Sequence, residues 1–225
     1  MSEKTEKTTA SAKLNGFLEK NRKPVLICFI VVLVLVVGFI AGAIVVSSSS
    51  KKDLAQVEAY YYELLDSSTD LEDSEITKRA TECIEKLAPY SKKGGIAGVR
   101  ANMLSAELAY ILADYEDAIS YYDAAIAKGK KSYTAPICMY NKASCYEELG
   151  KLAEAAEAYR AAAEFKDFGM LTHAYFSLGR VLEAQGDYNE AVKAYTSAKE
   201  AFADDEWSNL ATTRIIELQS QGKAE

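Results

Sequence analysis

Few residues in this chain could carry covalent or metal chemistry, and their spacing argues against it. His173 is the only histidine, which excludes a multi-histidine metal site, and nothing near it supports a catalytic triad. Gly129-Lys130-Lys131-Ser132 imitates the end of a phosphate-binding loop. The earlier glycine such a loop needs is replaced by Ala124, and the stretch joins two helices instead of following a strand, so it reads as a basic loop. Cys138 and Cys145 lie seven residues apart on one predicted helix, about 10 Å along its axis and beyond disulfide reach. With Cys83 they read as small buried side chains. Cys28 lies inside an apolar run and follows Ile27, which does not fit a lipidation site. The many carboxylates fit a solvated helical surface. No enzyme activity, cofactor or small-molecule substrate is expected, and a net charge of −7 argues against nucleic acid as a partner.

What remains is surface, so the elements that present it decide the reading. The chain has 225 residues, 49% hydrophobic and 26% charged, with only three prolines and no alternating strand pattern. The class is all-α. Val25–Val46 is twenty-two residues without a charge. At ~1.5 Å per residue it spans about 33 Å, enough for a ~30 Å hydrocarbon core. It is too long for a signal-peptide apolar region of ~7–15 residues, so an uncleaved transmembrane helix is expected. Ahead of it six basic residues face three acidic ones, whereas residues 51–225 carry twenty basic and thirty acidic. Those flanks place the N-terminus in the cytoplasm and the remainder outside it.

Thr172–Asp205 decodes the rest. It reads as two amphipathic helices joined by a turn at Gln185-Gly186-Asp187. Tyr175, Leu178-Gly179, Ala191, Tyr195 and Ala198 stand at the fourth, seventh, eighth, twentieth, twenty-fourth and twenty-seventh places. Small residues let the helices approach, and large ones fill the gaps beside them. Aligning Gly150 with Gly186 recovers Pro136–Asp167, with Ala143, Tyr146, Ala155, Tyr159 and Ala162 in the same slots. Ala113-Asp114-Tyr115 recovers a third copy from Val99, with Ala106, Ala118, Tyr122 and Ala125, although Asn102 replaces its aromatic. These copies resemble tetratricopeptide (TPR) repeats, which implies a right-handed α-solenoid of helical hairpins. In that family the second, fifth, ninth and twelfth places line a concave, partner-binding groove. Here they are Arg100, Met103, Glu107 and Tyr110; Ile137, Tyr140, Ser144 and Glu147; and His173, Phe176, Arg180 and Glu183. Tyr110, Tyr140 and Phe176 are expected to form one apolar strip.

The organisation follows. Residues 1–24 form a cytoplasmic, largely disordered tail with a short interfacial helix possible at Leu14–Lys23, and 25–46 the transmembrane helix. Residues 47–52 are a polar linker, with Ser50 or Asp53 capping the next helix. Residues 53–98 form a degenerate helical hairpin ended by Pro89, 99–205 three repeats, and 206–225 a closing helix with its tail. Asp205 caps that helix, and Trp207, Leu210, Ala211, Ile215 and Leu218 are expected inward. This layout, with Phe17-Leu-Glu-Lys-Asn-Arg-Lys23 before the span, resembles the bacterial inner-membrane ancillary subunits of the Sec translocon. That resemblance implies a periplasmic repeat domain contacting the translocon, a membrane-anchored chaperone and emerging client chains. Two alternatives stay open: a structural TPR scaffold of a membrane complex, and a cytosol-facing import receptor.

Overall fold

The computed structural model describes residues 17–66, 72–202 and 205–225. The first sixteen residues of the tail, with Leu14 of its interfacial helix, therefore lie outside the described residues, as do the side chains of Cys28, Ala41, Ala43, Val46 and Leu65. No strand occurs among the described residues. The chain forms two compact units, up to Ser49 and from Ser50.

In the first unit Phe17–Lys20 makes one helical turn, closed by Asn21, whose backbone N–H and side-chain amide both donate to the Phe17 carbonyl at 2.9 and 3.0 Å. Helix α1 (Arg22–Asp66) follows. Among the described residues it holds the one stretch long and apolar enough to cross a membrane, Arg22–Ile40. Residues 47–52, expected as a linker, are helical instead, and no helix begins at Ser50 or Asp53. Serine costs only ~0.5 kcal/mol in a helix, and propagation from both sides carries the helix through four of them.

The second unit holds the end of α1 and then α2 (Asp73–Ser91), α3 (Gly95–Ile111), α4 (Tyr115–Lys128), α5 (Thr134–Glu148), α6 (Leu152–Ala163), α7 (Leu171–Ala184), α8 (Tyr188–Ala201) and α9 (Glu206–Ser220). From α2 onward each helix packs on the next in sequence, and α9 also reaches α7. This chain of nearest neighbours is what stacked hairpins require. Pro89 does not end α2, which runs two residues further to Ser91. Proline removes only one backbone donor, and a break so near the C-terminus leaves few hydrogen bonds to lose.

Val57 and Leu64 of α1 share a core with Ala80, Cys83 and Leu87 of α2 and Ala101, Leu104 and Leu108 of α3. A second core joins α3, α4 and α5 around Tyr122, and a third runs from α5 to α9 around Tyr159 and Tyr195. Small residues set the spacing. A Cβ built at Gly179 would stand 2.6 Å from the Tyr195 ring, and Ala155, Ala191 and Ala198 are fully buried. The hairpin turns are also alike. Gly150 (φ 69°), Gly186 (φ 83°) and Ala113 (φ 57°) all adopt the left-handed conformation. Asp205 caps α9, accepting from the Trp207 backbone N–H at 2.8 Å. Ala211 and Leu218 are buried, but Leu210 is exposed, because only one side of this last helix meets a neighbour.

Candidate partner-binding groove

The predicted groove residues come together on α3, α5 and α7, yet much of what they offer is already used within the chain. At one end α1 covers the first copy. Arg100 donates to both oxygens of Glu58, at 2.6 and 3.4 Å, and Met103 is buried. Burial works against the Arg100 cation, but Glu58 outweighs it and holds its pKa above the usual value. Tyr61 of α1 hydrogen-bonds Glu107, and desolvation pushes that carboxyl up from its ordinary range. The same burial and the Glu107 charge push the Tyr61 phenol up to about 12.

At the other end α9 covers the third copy. Trp207 stacks on His173 with ring centroids 3.8 Å apart and planes 13° apart, and it packs on Phe176 at 5.2 Å. Burial and then Arg180 lower the His173 pKa, so the imidazole is neutral at physiological pH. The Tyr140 hydroxyl bonds His173 Nε2 at 3.0 Å and Ser177 at 3.3 Å, and its residue is only 9% exposed. Tyr140 and Phe176 therefore serve the core more than a surface, and no continuous open strip runs from Tyr110 through Tyr140 to Phe176. Ile137 is half-buried and Arg180 is exposed.

A seam motif that sequence reading missed explains what stays open. Glu147 accepts from the Tyr159 hydroxyl at 2.6 Å and pairs with Arg180 at 2.7 Å. Thirty-six residues on, Glu183 accepts from the Tyr195 hydroxyl at 3.0 Å and pairs with Arg214. Both of these seams are thus closed by a glutamate, a buried tyrosine and an arginine from the next unit. At the first seam the corresponding residues are Tyr110, Tyr122 and Ser144. Two of the three partners have changed, and the closure is absent. A cavity of ≈ 350 Å³ lies there, lined by Tyr61, Glu107, Tyr110, Ile111, Tyr122, Asn141 and Ser144. The Tyr110 hydroxyl donates to Glu148 at 3.2 Å, and burial with that carboxylate pushes its pKa up to about 12. The Glu147 and Glu183 spacing was readable from the aligned copies; their arginine partners were not, because they come from different helices at unequal distances.

The remaining candidate residues lie outside the groove positions. Cys83, Cys138 and Cys145 are free and buried, and burial raises all three thiol pKa values, Cys145 to about 11 and Cys138 to about 12. Residues 129–132 form a loop in which Ser132 Oγ donates to the Gly129 carbonyl at 2.7 Å. No cluster able to hold a metal ion occurs among the described residues.

Comparison with known proteins agrees with this architecture. Residues 103–169 and 172–205 match the tetratricopeptide repeat, together less than half of the chain. The chain therefore carries TPR repeats, which are interaction modules as a rule. A TPR repeat-containing protein of Treponema pallidum (strain Nichols) is 31% identical over 139 residues. That match covers 62% of this chain and 58% of the relative, so over a third of the relative has no counterpart here. Among solved structures, nearly identical TPR-like repeats of a Podosopora anserina kinesin light chain align with a TM-score of 0.57 at 12% identity, covering 75% of this chain and 86% of that one. RapI in its apo form aligns with a TM-score of 0.54 at 18% identity, covering 75% and 46%. At such identities the likeness concerns the fold alone.

Proposed function

We propose that this chain is a membrane-anchored protein–protein interaction module, held in a bacterial inner membrane by residues 25–46 with its N-terminus cytoplasmic and its repeats in the periplasm. Its repeats hold a segment of a partner protein at the translocon: an emerging client chain, the translocon itself or a membrane-anchored chaperone. The observation that carries this reading is a stack of repeats in which two seams are closed by a glutamate, a tyrosine and an arginine and a cavity lies at a third, in a chain that also holds an uncharged twenty-two-residue run. A seam left open to solvent forgoes packing, and an outside ligand restores it.

A second reading is favoured by one specific arrangement. The Glu58–Arg100 pair and the Trp207–His173 stack fill both ends of the groove in cis, as in a scaffold that binds partners on its convex face. Two experiments separate these readings and test the anchor. Tags at each terminus, followed by protease treatment from either side of the membrane, should protect opposite ends. A repeat domain digested only from the cytoplasmic side contradicts the orientation. Partner capture from native membranes should weaken with Tyr110→Ser and persist with the outward pair Glu154→Ser and Lys193→Ser; the reverse pattern favours the scaffold.

A further inference from the structure

The open seam is shaped for one kind of side chain. At the two sealed seams an arginine of the following unit, Arg180 or Arg214, lies beside a buried tyrosine and a glutamate. At the first seam Ser144 stands in the place of Arg180, thirty-six residues earlier, and the space it vacates belongs to the ≈ 350 Å³ cavity. The tyrosine survives as Tyr122, 2% exposed, and two further phenol rings, Tyr61 and Tyr110, line the same walls. A carboxylate survives as well, one turn away: Glu107 lines the cavity and keeps Tyr61 as its hydrogen-bonding partner. The nearby cation, Arg100, gives its guanidinium to Glu58, and among the described residues no basic side chain forms an ion pair with Glu107. The cavity lining carries a carboxylate and no basic side chain. Glu107 supplies that carboxylate and Glu148 accepts from Tyr110, while Glu58 pairs with Arg100 and Glu147 with Arg180.

The geometry points to this cavity as a receptor for an arginine side chain supplied by the partner protein, closing the first seam in trans as Arg180 and Arg214 close the others in cis. A guanidinium suits it better than an ammonium. Its flat face stacks on phenol rings, and its fork donates to Glu107 while Asn141 and Ser144 accept from its remaining N–H groups. A partly buried carboxylate without a cation gains more from such a partner than an exposed one does. This inference rests on the groove reading above but can fail separately from it.

The test uses the full chain in lipid nanodiscs with 13C-labelled tyrosine rings, titrated with Nα-acetyl-arginine amide and with its neutral isostere, Nα-acetyl-citrulline amide. Saturable shifts of Tyr61, Tyr110 and Tyr122 with the arginine amide are expected. The citrulline amide should bind at least about tenfold more weakly, the worth of one charge-assisted hydrogen bond. Glu107→Gln should weaken arginine-amide binding to a similar degree. Ser144→Arg should abolish it by filling the cavity in cis, with the melting temperature kept or raised. Equal binding of both amides, no binding to the parent chain, or undiminished binding to the folded Ser144→Arg variant would each overturn the proposal. Partner capture in native membranes that survives Glu107→Gln and Ser144→Arg would also overturn it, and would leave the groove reading standing. Arginine-amide binding without any partner crosslinked at the cavity would retain the receptor and remove that reading instead.

Discussion

Ala113 bears a strain that its counterparts avoid. Gly150 and Gly186 accept the left-handed turn freely, whereas at Ala113 the same φ brings Cβ against the following carbonyl. Ala113→Gly relieves that contact but frees the unfolded chain, and a net gain of about 0.5–1 kcal/mol is expected. Denaturant unfolding that shows no gain would refute it. Gly179→Ala should do the opposite and cost ~1–3 kcal/mol, because the Tyr195 ring lies where the methyl group would go. Glu107 adds a pH-dependent case. Its folded-state pKa is raised above the ordinary 4.5, so its contribution to stability is present at low pH and is lost as pH rises through the raised value. Glu107→Gln removes that loss. The variant should melt above the parent at neutral pH, with the gap closing below about pH 4; a gap independent of pH would contradict the assignment. The turn alignment and the small-residue positions were legible in the sequence because steric need dictates residue type there. Asn102 was not. It looks like a missing aromatic, but it is buried and its side-chain amide donates to the Ser91 and Gly98 carbonyls at 2.9 and 2.7 Å, joining α2 to α3.

At the scale of elements, the hairpins follow from periodicity, and the helix ends follow less closely. Residues 47–52 and Pro89 show why. A polar run or a proline marks a boundary only where the neighbouring helix cannot propagate across it. The groove shows a similar limit. Places 2, 5, 9 and 12 of each copy are expected on one side, but sequence periodicity carries no information about what covers that side. Trp207 was read as inward, and its stack on His173 and Phe176 sets it as the closure of the last repeat. Trp207→Ala should lower stability by about 2 kcal/mol and raise the exposure of His173, measurable as a tryptophan-independent melting shift together with a histidine titration nearer its ordinary pKa. An unchanged histidine titration would mean that α9 does not shield it. Within the second repeat, Ala155 is fully buried, and Ala155→Trp should cost ~1–3 kcal/mol or more by forcing α5 and α6 apart. Unaltered melting of that variant would contradict the packing.

Over the whole molecule, the proposed function assigns attachment to the long apolar run and recognition to the acidic repeat domain. The repeat domain has its own cores, running from Val57 to Leu218. The solenoid's regularity makes the exception at Tyr110, Tyr122 and Ser144 informative: two seams are closed by one recurring set of side chains, and a cavity lies at the third. The most direct measurement is site-specific photo-crosslinking in native membranes, with the photoreactive residue placed at Asn141 in the cavity or at Lys193 on the outward face of α8. Recognition at the open seam predicts partner adducts from Asn141 and few or none from Lys193. Adducts from Lys193 alone would contradict it.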